Sequence, residues 1–398
     1  MRLPLVLALT AALATPAWSQ TDPADWPAVE AAAEGQTVYW HAWGGSTATN
    51  DFIAWIGARA AEKGVTLEHV KLADTADAVA KVLTEVQAGV ETGGSVDMIW
   101  INGANFASMK EAGLLFGPFA ENLPNWRYVD VEGKSVTTDF TVPTEGYESP
   151  WAMAQLVFMA DTARVETPPT SPATLLQWAQ EHPGRFTYPQ PPDFLGTTFL
   201  KQMLIGIVED PAVLQKPVGD DYEDVTAAFW DYMDQLTPLL WRQGRAYPET
   251  GPRQLQLIND GEIDLAFSFS PGEATAAIAN FELPESVRTF VLDGGTLGNA
   301  SYVAIPVNSS AKEGAMVVAD ILLSPEAQLR AQTPEILGYG TVLAMDKLEP
   351  EDRAAFDALD LGIATLSPEE LGQALPEPHP SWATRLADDW VTRYGVAP

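Results

Sequence analysis

Val38-Tyr39-Trp40-His41-Ala42-Trp43-Gly44-Gly45-Ser46-Thr47 is the stretch on which the fold turns. Its first six residues are β-branched or aromatic at most positions and read as a strand. The Gly-Gly pair breaks it, and a helix follows from Asn50, read as the N-cap, to Gly64, burying Phe52, Trp55, Ile56 and Ala60. Thr66 to Leu72 repeats the strand pattern. Val79, Val82, Leu83 and Val86 then mark a helix that stops at Gly89. Val96-Asp97-Met98-Ile99-Trp100-Ile101 is a third strand, and Phe106 with Met109 sets a short helix closed by Gly113. Strands alternating with helices of this length predict βαβ units, a mostly parallel sheet and right-handed crossovers.

The pattern resumes after Pro143 to Pro150. Ala154 to Met159 reads as a strand, and Ser171-Pro172 opens a helix with a capping serine and proline at its first position. Arg185 to Tyr188 is a short strand. Val225, Phe229, Tyr232, Met233, Leu236 and Leu240 form a helical stripe, bent or ended near Pro238. Ile263 to Phe269, Arg288 to Leu292 and Tyr302 to Ile305 are further strands, and the chain from Lys312 is mostly helical. No repeat or flexible linker divides it. The fold class expected is α/β, two lobes joined by several crossings.

Composition removes several functions. The 398 residues carry 54 acids against 22 bases, a net charge of −32. Nucleic acid and anionic lipid both require clustered Lys and Arg, so neither is an expected partner. The absence of cysteine excludes disulfides, thiolate nucleophiles and Cys-ligated metals. His41, His69, His182 and His379 are too scattered for a metal site, and no cofactor is expected. Met1-Arg2, the apolar run Leu3 to Ala14 and the small residues Ala17 and Ser19 read as a signal peptide at 1–19, cut before Gln20. Export to a periplasm follows, without a lipid anchor, because no cysteine stands at the cleavage point.

Three segments then resemble the periplasmic solute-binding proteins of ABC importers. They are the early strand, Gly-rich turn and helix with Val96 to Trp100; Leu257-Ile258-Asn259-Asp260-Gly261-Glu262-Ile263-Asp264-Leu265-Ala266; and Val303 to Ser309 followed by Leu322-Leu323-Ser324-Pro325-Glu326-Ala327-Gln328. Trp40 to Gly45, Pro150-Trp151, Gly184 to Pro189 and Pro192-Asp193-Phe194 look like the YnjB-type members, near the thiamine, polyamine and ferric-ion binders. The resemblance implies a type II-like fold: two lobes, each a mixed, mostly parallel sheet flanked by helices, with a ligand cleft between them. It also implies an interleaved division, 20–155 with 266–298 in one lobe and 156–265 with 299–398 in the other. A freely diffusing monomer that delivers its solute to permease subunits is expected.

Ligands of open α/β sheets sit at the carboxyl ends of strands. Gly44, Gly45 and Ser46 fit that position, where free backbone N–H groups can hold an anionic group. An ordinary tight turn explains them equally well. His41 and Trp43 face one side of the first strand, and Trp40 belongs to the core. Trp100 and Asn102 end the third strand; Asn105 is a first-turn helix residue. Glu148 and Trp151 precede the hinge strand, and carboxylates beside an aromatic ring suit an organic cation. Glu145 is read as solvated. In the framework that the resemblance supplies, Ser268, Ser270, Asn299 and Tyr302 line the crossings, with an N-cap duty as the alternative for Ser270. Tyr188 and Asp193 flank a turn of the second lobe.

The adjacent tyrosines of the ferric-ion binders are missing, so ferric iron is not expected. The rival class is a secreted hydrolase, such as a glycosidase using two carboxylates. With 54 acids a suitable pair always exists on paper, and there is no Gly-x-Ser-x-Gly or His-Glu-x-x-His motif. Capture of a small polar solute, cationic or amphoteric, by hinge closure is therefore expected, without catalysis.

Overall fold

The computed structural model describes residues 21–395, so the export segment read at 1–19 lies outside the described residues. After α1 (Trp26–Ala33), the chain runs β1 (Thr37–Trp43), α2 (Thr47–Glu62), β2 (Thr66–Leu72), α3 (Thr75–Gln87), β3 (Met98–Ile101) and α4 (Ala104–Glu111). β2 and β3 flank β1, both parallel to it, and β1 pairs β2 from Thr37↔Thr66 to Trp43↔Leu72. The expected βαβ units are present. One cap differs: Ser46, not Asn50, caps α2, while the Asn50 amide donates to the Gly44 carbonyl at 3.2 Å.

A two-residue turn at Phe140-Thr141 joins β4 (Thr138–Asp139) to β5 (Val142–Pro143). β6 (Glu148–Gln155) follows, and Leu156 alone separates it from β7 (Val157–Asp161). At that single residue the chain leaves one sheet for another. α5 (Pro172–Glu181) starts at Ser171 with a full capping box through Thr174, as its Ser-Pro signature predicts. α6 (Phe194–Ile207), α7 (Tyr222–Leu236) and α8 (Gly251–Asn259) lead to β8 (Leu265–Ser268), α9 (Glu273–Ala279), β9 (Val287–Phe290) and β10 (Gly298–Ala304). α7 ends where Pro238 requires it. The strand expected at Arg185 to Tyr188 reduces to one bridge, Phe186 to Leu265. α10 (Lys312–Leu322), α11 (Pro325–Gln332), α12 (Pro350–Asp357), α13 (Pro368–Leu371) and α14 (Pro380–Tyr394) complete the chain.

The large sheet has the order β2-β1-β3-β10-β6, with β10 antiparallel to both neighbours, and the small one is β8-β7-β9. The sheets depart from the expected division at three strands and among the C-terminal helices. β8 and β9, within 266–298, pair with β7 instead of joining the first lobe. Their side chains explain it: Phe267 and Phe290 meet Phe158 at 5.6 and 5.7 Å between ring centroids. β10, expected in the second lobe, runs between β3 and β6 of the first. The helices after it also split, since α10 to α12 pack on the core of the large sheet whereas Trp382, Leu386 and Trp390 of α14 enter the other.

Two cores result. On one face of the large sheet Trp40, Phe52 and Trp151 interlock, with Trp151 stacked on Phe52 at 5.8 Å and edge-on to Trp100 at 4.9 Å. α3 and α4 cover the other face through Ala78, Val82, Phe106 and Met109. The second core gathers Phe158, Phe186, Tyr188, Phe199 and Phe267 around β7, α6 and α14. Burial of such rings supplies the main drive for each lobe.

Candidate functional site at the strand ends

Because β1, β2 and β3 are parallel, Trp43, Leu72 and Ile101 all reach the same edge of the large sheet. The Gly44 N–H donates to the Leu72 carbonyl at 3.1 Å, closing the turn. A side chain at Gly45 would collide with the Trp43 indole, which therefore lies over the turn and stays partly exposed. Asp74 caps α3 through Ala76 N at 2.9 Å. Gly103, at φ 60°, turns the chain after Asn102 into α4, and its N–H is taken by Asp139 at 2.5 Å.

The facing wall begins with α6. Asp193 caps it through Leu195 N and Gly196 N, and the exposed Phe194 stands edge-on to Phe269 at 5.1 Å. Farther along lies Lys201, the one charged residue of an otherwise neutral helix. Its Nζ meets Glu377 Oε2 at 2.5 Å and lies 4.8 Å from the Phe140 ring and 5.8 Å from the Phe194 ring. The other oxygen of Glu377 accepts from Asn299 at the start of β10, at 3.1 Å. Phe140 comes from the β4–β5 turn beside the large sheet, so an ion pair of the second lobe is covered by a ring of the first.

A second contact joins the lobes on the Trp40 face. The Ser270 hydroxyl donates to the Leu337 carbonyl at 2.6 Å and Gly272 N to the Gly338 carbonyl at 3.1 Å. The two glycine backbones touch, and a Cβ on either would strike the other. Ser270 is thus spent on a tether between lobes, and Gly272 is the cap of α9.

Asp74 and Asp193 stand on opposite walls, and the Lys71 side chain packs beside Gly44. Burial pushes Asp193 above the usual carboxylate range, and Asp74 on the opposite wall pushes it further. Burial also raises Glu273, against the Ser268 hydroxyl that donates to it. Lys201 is neutralised by Glu377. Such walls, with Trp43, Trp100 and Phe194 among them, can hold a cationic head and an apolar body. Among the described residues no group of three or more His, Asp or Glu is arranged to hold a metal ion.

The residues singled out from sequence fall into two sets. Trp43, Gly44, Gly45, Ser46, Trp100 and Asn102 gather at the strand-end edge, with Asn299, Ser268 and Ser270 at the crossings. His41, Glu148, Trp151, Tyr188 and Tyr302 are inside. Trp151 is 1% exposed in the first core. Tyr188 is enclosed in the second, accepting from the Trp390 indole at 2.9 Å. The Tyr302 hydroxyl donates to the Ser135 and Thr138 carbonyls, and His41, its pKa lowered by burial, turns Nδ1 toward the Tyr39 carbonyl. Sequence reasoning missed Lys201, Glu377, Phe140 and Phe194. A lone lysine in the apolar run Phe194 to Ile207 was a usable signal; nothing local marks Phe140.

The two-lobed architecture defines a class II-like binding-protein fold, and solved structures share it. The periplasmic binding protein AfuA from Actinobacillus pleuropneumoniae, solved with exogenous fructose-6-phosphate bound, superposes with a TM-score of 0.63 at 15% identity, over 91% of this chain and 99% of its own. The spermidine/putrescine substrate-binding protein PotD from Streptococcus pneumoniae gives 0.58 at 16%, over 90% and 98%. Protein YnjB of Escherichia coli (strain K12) is 44% identical over 378 residues, 94% of this chain and 95% of that protein. The bacterial extracellular solute-binding protein model matches residues 54–345. The chain belongs to that family. It is an extracytoplasmic solute-binding protein.

Proposed function

We propose that the cleft captures a small organic solute bearing positive charge, closes over it and presents it to membrane permease subunits. One observation supports the charge assignment: buried Lys201 is already neutralised by Glu377, while Asp74 and Asp193 stand close enough across the walls for one to raise the other, with Lys71 beside Gly44 as the nearby surface cation. An anionic solute would meet net repulsion, and a cation would relieve it. The fold is shared with a protein solved with a sugar phosphate and with polyamine-type binders, so charge and not fold discriminates. Trp43, Gly44, Gly45, Ser46, Trp100, Asn102 and Asn299 form the contact set.

In this reading the first lobe comprises 21–155 and 298–357 and the second 156–297 and 358–395, following the sheets and cores. The protein acts as a diffusing monomer exported by the leader at 1–19. Solute favours the closed arrangement by binding both walls at once. The test is a thermal-shift screen of putrescine, spermidine, thiamine and choline against fructose 6-phosphate and inorganic phosphate. A saturable rise in Tm with one of the cations is expected. A rise confined to the anions overturns the charge assignment.

A further inference from the structure

A cavity of about 360 Å3 lies between α2 and α11 of the first lobe and shares no residue with the strand-end contact set. Trp55, Leu329 and Ile336 give it apolar walls, and Arg59 and Arg330 bring two guanidinium groups to it. The Trp55 ring is fixed from the core side, stacked on Phe52 at 6.2 Å. Both guanidinium carbons lie 5.0 Å from the centre of that ring. The two cations differ in their partners. Arg59 is ion-paired with Glu62 at 2.5 Å and with Glu326 at 3.1 Å. Glu326 stands one turn before Arg330 on α11, a spacing suited to an ion pair, yet it reaches across to Arg59 instead. Among the described residues Arg330 makes no ion pair, and the Nε atoms of both arginines are buried without an acceptor.

A half-buried guanidinium without an acceptor has lost water and gained nothing in its place. A carboxylate matches its planar fork, and the three apolar walls suit a small ring or branched chain. The volume is at the small end of the roughly 300–1,000 Å3 usual for ligand pockets. We propose that this cavity binds a small organic carboxylate, its anionic end on Arg330 and Arg59 and its apolar body along Trp55, Leu329 and Ile336, and that its occupancy bears on closure of the lobes. The link to closure runs through one short segment. Thr333 lines the cavity, and its carbonyl accepts the N–H groups of Ile336, Leu337 and Gly338 at 2.9, 3.1 and 3.1 Å. Leu337 and Gly338 are the residues that Ser270 and Gly272 of the second lobe hold. An occupant packed against Thr333 and Ile336 stiffens the loop that makes this tether.

The occupant is an anion and the solute proposed for the cleft a cation, so the two readings fail separately. The full-length protein, labelled with 15N-arginine, is titrated with sodium benzoate, with benzamide as the neutral isostere and with sodium phosphate and sodium chloride as inorganic anions. Benzoate should saturably shift the Nε–H signals of Arg59 and Arg330, and benzamide should not. Arg330→Gln should weaken benzoate binding about tenfold or more. Arg330→Lys keeps the charge without the fork, should weaken it less, and serves if Arg330→Gln does not fold. Saturating benzoate should slow hydrogen exchange at Gly272 and Gly338 on the order of threefold. No saturable shift, an equal response to benzamide, or binding unchanged in the Arg330 variants overturns the site. Phosphate or chloride matching benzoate overturns the assignment to an organic carboxylate. Binding that leaves exchange at Gly272 and Gly338 unchanged overturns the link to closure.

Discussion

Lys201 and Glu377 form an ion pair at 2.5 Å with side chains only 2% and 1% exposed, and Asn299 holds the second carboxylate oxygen. The pair ties α6, the start of β10 and the segment before α14 into one unit. Its attraction must offset the desolvation of two charges, so removal of one partner leaves the other stranded. Lys201→Met alone should cost about 3–5 kcal/mol, read as a lower urea midpoint, whereas Lys201→Met with Glu377→Leu should recover most of that loss. A single variant as stable as wild type would show that water reaches the pair.

The two tryptophans singled out from sequence should separate by phenotype. Trp151→Ala removes a ring enclosed by Phe52, Trp40 and Trp100 and should cost about 3–5 kcal/mol by urea denaturation. Trp43→Ala, at the partly exposed strand end, should leave the midpoint within about 1 kcal/mol and lower the affinity for the stabilising amine in titration calorimetry. Equal loss of stability in both would make Trp43 a core residue.

Gly338 touches Gly272 of the other lobe and has φ of 65°. Gly338→Ala adds a methyl group to a left-handed position, at about 1–2 kcal/mol, and also wedges the tether. Small-angle scattering should show the wild type contracting with bound solute and the variant contracting less. Identical contraction would remove this contact from the closing motion.

Asp320 on α10 accepts the Asn125 N–H at 2.7 Å, yet burial raises its pKa to about 6. A carboxyl raised above its unfolded value contributes stability that is fully present below the unfolded pKa, near 3.9, and lost as pH rises through about 6. Asp320→Asn should flatten the stability profile between those values by up to about 3 kcal/mol. Urea midpoints at several pH values check it, and an unchanged slope would contradict it.

How much of this was legible in the residues varies by element. β2 was read to its end residues because Thr66 to Leu72 is bounded by Gly64 on one side and a helix cap on the other. The Ser171-Pro172 start was legible for a similar local reason. The insertion of β10 between β3 and β6 was not, because its partners lie more than a hundred residues away and pairing leaves no local mark. Trp151 misled for a related cause: β6 is covered on both faces, so alternation cannot separate its inward side. The strand ends at Trp43 and Asn102 were legible because topology fixes where parallel strands stop.

Leu156, the lone residue between β6 and β7, donates its N–H to the Leu297 carbonyl at 2.8 Å, so two of the crossings are pinned to each other at one point. A joint of this kind leaves few independent torsions. In the proposed hinge, opening and closing would reduce to rotation about a single axis, and every gap between the lobes would become a function of one angle. A membrane partner touching both lobes at any two points would measure that angle, and thereby occupancy, without contacting the solute.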